Sequence, residues 1–221
     1  MQYLTRKSSV EAIRNIHCLQ QELDALYGKY GIKLGVDVGR KNILISSAQE
    51  HFFAKAIASV VGKCSNDGRT GAADIIIDSL NDREVECKVL CQGKKGSWQF
   101  QADKASLVRK GKLDFLYLLY DRTHDNVGLF LFTDLGPEDF ADPAPGSRGK
   151  ARLRKSTAFK KCVPIIGGFT DKRSMYIEKY SKEKISAETE CQRKIAAQKL
   201  DLWYNKTSQF SIQLEPVHEI I

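Results

Sequence analysis

The chain has 221 residues, 42% hydrophobic and 28% charged, with a formal net charge of +8. These are ordinary proportions for one globular domain with a good-sized core. No apolar run approaches the ~18 residues of a membrane-spanning helix, and Met1–Lys7 lacks the apolar stretch of a signal peptide. A cytoplasmic protein without a membrane partner is therefore expected. The excess of Lys and Arg suits a polyanionic partner. Six cysteines and four histidines are scattered without zinc-ligand spacing, so the thiols read as free.

Taken in order, Ser8 or Ser9 can cap a helix over 8–30, with Val10, Ile13, Ile16, Leu19 and Leu23 on one stripe. Residues 32–45, with Gly35 and Gly39, read as a loop that could include a small strand at Ile43-Leu44-Ile45. Ser46 or Ser47 opens a second helix, where Glu50, three residues after Ser47, completes a capping box. Phe52, Phe53, Ala56 and Ile57 form its apolar side.

Residues 67–90 organise the rest. A basic turn containing Gly68, Arg69 and Gly71 leads into Asp74-Ile75-Ile76-Ile77-Asp78. A polar turn, Asn81-Asp82-Arg83, separates it from Glu84-Val85-Glu86-Cys87-Lys88-Val89-Leu90, which together spell a β-hairpin. Side chains alternate along a strand, so Glu86 and Lys88 share a face, and Asp74 can meet them across the hairpin. Two carboxylates held that close repel unless a cation lies between them. Hard oxygen donors at this density suit Mg²⁺, and a metal-activated water beside a lysine is machinery for phosphodiester hydrolysis.

Asp74 followed twelve residues later by Glu86-Cys87-Lys88 resembles the PD-(D/E)XK nuclease superfamily, which includes many type II restriction endonucleases. The resemblance covers three side chains in a hairpin, and Ala73 stands where many members have proline. It implies an α/β fold with a central mixed sheet of at least four strands flanked by helices. It implies further that Asp74 and Glu86 ligate Mg²⁺, that Lys88 is the catalytic lysine, and that the Cys87 carbonyl is a further ligand. Members commonly carry a glutamate on the preceding helix that assists the metal, a place Glu50 fits alongside its capping role. A symmetric duplex target would imply a homodimer.

Beyond the hairpin, a glycine-rich turn carries Lys94 and Lys95, and Gln99 and Gln101 follow on an extended stretch. These residues suit either DNA contact or an ordinary polar loop. Residues 102–112 read as a short helix. Leu113–Tyr120 and Val127–Phe132 read as central strands. A proline-rich loop over 135–149 feeds a run with seven cations and no acid, 148–161. Arg148, Lys150, Arg152, Arg154 and Lys155 within it are candidates for duplex DNA binding rather than a merely solvated face. Residues 171–206 form the longest helical pattern, with a break expected near Ser186, and 211–214 an edge strand. The expectation is a single nuclease domain over 1–221.

Overall fold

The computed structural model describes residues 2–36, 38–66, 72–93, 96–206 and 209–221. Arg69, Lys94 and Lys95 lie outside the described residues. The chain runs α1 (Arg6–Lys29), α2 (Val38–Val61), β1 (Ile75–Ile77), β2 (Arg83–Cys91), β3 (Gln101–Asp103), α3 (Lys104–Lys110), β4 (Leu113–Tyr120) and β5 (Asn126–Leu135). It continues through β6 (Lys150–Arg152), α4 (Lys155–Ala158), β7 (Cys162–Ile166), β8 (Gly168–Asp171), α5 (Lys172–Ser186) and α6 (Glu190–Tyr204). The last elements are β9 (Phe210–Gln213), β10 (Glu215–Pro216) and α7 (Val217–Ile220).

Among the described residues the main sheet is six-stranded, in the order β1-β2-β4-β5-β10, with β7 also pairing β5. Only β2 and β4 run parallel; the other pairs are antiparallel. The class is α/β with a mixed sheet, as the sequence implies. β3 and β6 form a separate two-stranded ladder, as do β8 and β9.

β4 sits centrally and is buried along its whole length, which is why its sequence is an unbroken apolar run instead of an alternation. Leu116, Leu118 and Tyr120 face one layer with Ile13 and Ile16 of α1 and Phe53 and Ile57 of α2. Phe115, Tyr117 and Leu119 face the other, an aromatic cluster with Phe100, Phe132 and Phe159. In that layer Phe100 meets Tyr117 edge-on at 4.9 Å.

Three local expectations are corrected. α1 begins at Arg6, because Thr5 rather than Ser8 is the cap: Thr5 Oγ1 accepts the Ser8 N–H while the Ser8 hydroxyl receives the Thr5 N–H. Among the described residues the stretch 32–45 is mostly helical rather than a loop. After a 3₁₀ turn at Leu34–Val36, α2 already runs from Val38. Burial of Ile45 and Ala48 against the sheet supplies what Gly39 lacks in helix propensity. Ser46 and Ser47 therefore lie within the helix, their hydroxyls bonded back to the carbonyls of Ile43 and Leu44, and Glu50 caps nothing. The 171–206 pattern does divide where expected, into α5 and α6, with Thr189 capping the second helix. The pair is fastened by Tyr176 stacked on Trp203 at 4.3 Å.

A buried ion pair ties the start of the hairpin's second strand to the centre. Arg83 grips Asp114 with two nitrogens, and the Tyr3 hydroxyl and the Asp134 N–H donate to the same carboxylate. The Asp114 side chain is 1% exposed. Arg83→Ala leaves that carboxylate with only the Tyr3 hydroxyl and the Asp134 N–H and, because the guanidinium is itself 33% exposed, is expected to lower stability by about 2 kcal/mol. The shift of the urea midpoint against the natural chain measures it.

Candidate active site

The hairpin has the predicted form. β1 and β2 are antiparallel, with Ile75 opposite Val85 and Ile77 opposite Arg83. The turn is built from a 3₁₀ segment and left-handed Asn81 and Asp82, residues that tolerate positive φ better than most. β1 starts only at Ile75, so the Cys87 N–H has no strand to pair with. The Asp74 side chain takes that bond, Oδ2 accepting from Cys87 at 2.7 Å.

Val85 and Cys87 are buried beneath the helices, which sends Glu84, Glu86 and Lys88 to the opposite face. There the Lys88 ammonium lies 3.3 Å from Asp74 Oδ2 and 3.0 Å from Glu86 Oε2. The three side chains singled out in the sequence thus converge. Glu50, freed from any capping role, lies on α2 within electrostatic reach of all three.

Two participants have no sequence signature. Lys110, at the end of α3, bridges Glu86 Oε1 at 3.2 Å and Glu84 Oε2 at 3.0 Å. Its partners stand on the neighbouring strand, so no local pattern announces it. Gln49 is fully buried and donates to the carbonyls of Leu116 (3.1 Å) and Lys88 (3.5 Å), fastening α2 over β2 and β4. Gln49 thereby sets where its neighbour Glu50 stands.

Burial raises the Asp74 carboxyl above the usual carboxylate range, and repulsion from Glu86 adds to this, while Lys88 and the Cys87 N–H offset part of it. Glu50 is raised by burial and then by Asp74 and Glu86, against the pull of Lys88. For Lys88 burial works downward, but Asp74 and Glu86 outweigh it and hold the ammonium above the ordinary lysine value. Lys88 is therefore protonated at neutral pH, a donor and a charge rather than a base.

Asp74, Glu84 and Glu86 contact Lys88 and Lys110, so with every group charged the cluster keeps one negative charge in excess, and Glu50 adds to the negative field around it. Among the described residues no group of three or more His, Cys, Asp and Glu side chains stands arranged to hold a metal. Mg²⁺ asks for less, taking one or two carboxylates and keeping waters. Asp74 and Glu86 fit that demand. The Cys87 carbonyl fits as well, since a strand residue's C=O projects to the same side as its N–H, here toward Asp74.

The remaining predicted residues divide. Gln99, Gln101 and Lys150 line one cleft of about 380 Å³ with Glu86 and Lys88. The β3–β6 ladder brings them there, pairing Gln101 with Arg152 and Asp103 with Lys150. Arg148, Arg152 and Arg154 are exposed, although Arg154 Nε also binds the Phe140 carbonyl at 3.1 Å. Lys155 is half-buried over the Phe100 ring, and burial lowers its pKa. Lys161 is committed to Asp139 at 2.7 Å.

Comparison with known proteins returns no matching family model and no matching curated sequence.

The raised carboxyls fix a sign. Their ionisation opposes folding, so the stability they contribute is full below the unfolded carboxylate pKa and declines as pH rises through the raised folded values. Mg²⁺ is expected to raise the melting temperature by a few degrees at about pH 7.5, by mass action on the folded state. The gain should vanish near pH 4, around the ordinary carboxylate pKa, and in Asp74→Asn at either pH. A Mg²⁺ shift that persists in Asp74→Asn would place the ion elsewhere.

Proposed function

We propose that this chain is a Mg²⁺-dependent endonuclease that hydrolyses phosphodiester bonds of double-stranded DNA, in the manner of type II restriction enzymes. The observation that supports it is the meeting of Asp74, Glu86 and Lys88 at one point of a β-hairpin, all within 3.3 Å contacts of the lysine. When bound, Mg²⁺ would supply a water of lowered pKa and neutralise charge on the scissile phosphate.

The chain's own groups do the rest. Asp74 is pinned by the Cys87 N–H, so its carboxylate is oriented before substrate arrives. Lys110 holds one oxygen of Glu86 and directs the other toward the centre. Lys88, kept protonated by its two acids, donates to the attacking water or to the phosphoryl oxygens as charge develops. Lys150 and the exposed arginines 148, 152 and 154 lie on the segment that borders the cleft, where they would grip the DNA backbone. A two-fold symmetric duplex site would be served by a homodimer, each copy cutting one strand.

Plasmid DNA incubated with the protein and Mg²⁺ should yield discrete fragments, with EDTA abolishing the reaction. Asp74→Ala and Lys88→Ala should each lower the rate by roughly 10²-fold or more, the scale for losing one preorganised electrostatic group. A Mg²⁺-dependent smear would assign a repair or non-specific nuclease with the same centre. DNA left intact by a protein that still shifts it on a gel would leave a binding module and no enzyme.

A further inference from the structure

The cleft beside Glu86 and Lys88 has a shape that duplex DNA does not fill. Its volume, about 380 Å³, lies in the ~300–1,000 Å³ range of pockets that enclose small molecules. Leu90, Ala102, Leu107, Leu113 and Phe115 contribute apolar lining, while Gln99, Gln101, Asp103 and Ser106 add hydrogen-bonding groups. The outer surface of a duplex is convex and presents sugar and phosphate, which gain nothing from an apolar concavity. An unstacked base is flat, apolar on its faces and polar along its edge, and it needs a pocket of this composition.

We propose that the cleft is a nucleobase site, which takes one extrahelical base adjacent to the phosphate held at Lys88. This rests on the nuclease reading and names the form of substrate it acts on. The amides of Gln99 and Gln101 offer both donors and acceptors to the base edge. The Lys150 ammonium at the same rim faces the backbone of the displaced nucleotide. Because β3, β6 and α3 build these walls around a single cleft, the site accepts one base rather than a run of them.

The test compares two 30-base-pair probes in Ca²⁺, one fully paired and one carrying a single bulged 2-aminopurine, by fluorescence anisotropy and 2-aminopurine emission. The natural chain should bind the bulged probe at least tenfold tighter and change its emission. Ser106→Trp, on the α3 wall, should remove that preference while leaving affinity for the paired probe unchanged, and Gln101→Trp, on the opposite wall, should remove the preference whatever it does to the paired probe. Thermal melting establishes that each variant is folded. Equal affinity of the natural chain for both probes, or a preference that survives in both folded tryptophan variants, would overturn the base site and leave the nuclease reading standing. A chain that binds neither probe and cleaves no DNA would overturn both.

Discussion

The candidate centre depends on one hydrogen bond, from the Cys87 N–H to the Asp74 carboxylate. β1 is only three residues long, and its end leaves a backbone donor on β2 without a ladder partner. An unpaired, part-buried N–H is costly, and the side chain immediately preceding β1 satisfies it. In doing so it draws Asp74 onto the strand that carries Glu86 and Lys88. A β1 longer by two residues would pair that N–H through the backbone and leave Asp74 no reason to stand there.

Within the cluster, charge is balanced against burial. Lys88 lies between Asp74 and Glu86 and Lys110 between Glu84 and Glu86, so the two lysines share Glu86. Neither lysine neutralises the cluster, and burial keeps Asp74 and Glu50 above their usual range. Ionisable groups perturbed by burial and by specific charged partners gather at candidate functional sites more than elsewhere. The structural ion pair of Arg83 with Asp114 makes a useful contrast, because there a bidentate guanidinium, a tyrosine hydroxyl and a backbone N–H leave the carboxylate fully partnered.

The scaffold explains why these groups hold their places. β2 is joined on both sides, to β1 antiparallel and to β4 parallel, and β4 is buried throughout. The face of β2 that carries Val85 and Cys87 is sealed by α1 and α2. The opposite face is left open at Glu86 and Lys88, and the small β3–β6 ladder with α3 closes around it to make the cleft. Of the basic segment 148–161, Lys150 reaches that cleft. Only part of it stays free for a partner, since Lys161 is bound to Asp139 and Lys155 is half-buried against Phe100.

Much of this is legible in the residues alone, for reasons that are local. Period-two alternation puts Glu86 and Lys88 on one face, and the polar turn after Ile77 makes the hairpin, whatever the rest of the chain does. The continuous apolar run of β4 announces a strand covered on both sides, and the polar stretch around Ser186 marks the break between α5 and α6. Tertiary contacts decided the remainder. α2 begins at Val38 because burial of Ile45 and Ala48 outweighs a glycine in its first turn. That shift removes the capping role of Glu50 and leaves the place near the acids that the resemblance also implies. Lys110 and Gln49 meet their partners across elements far apart in sequence, at separations of 24 and 67 residues. Local periodicity carries no information about such pairs, because which strand lies beside which is set by the packing of the whole sheet.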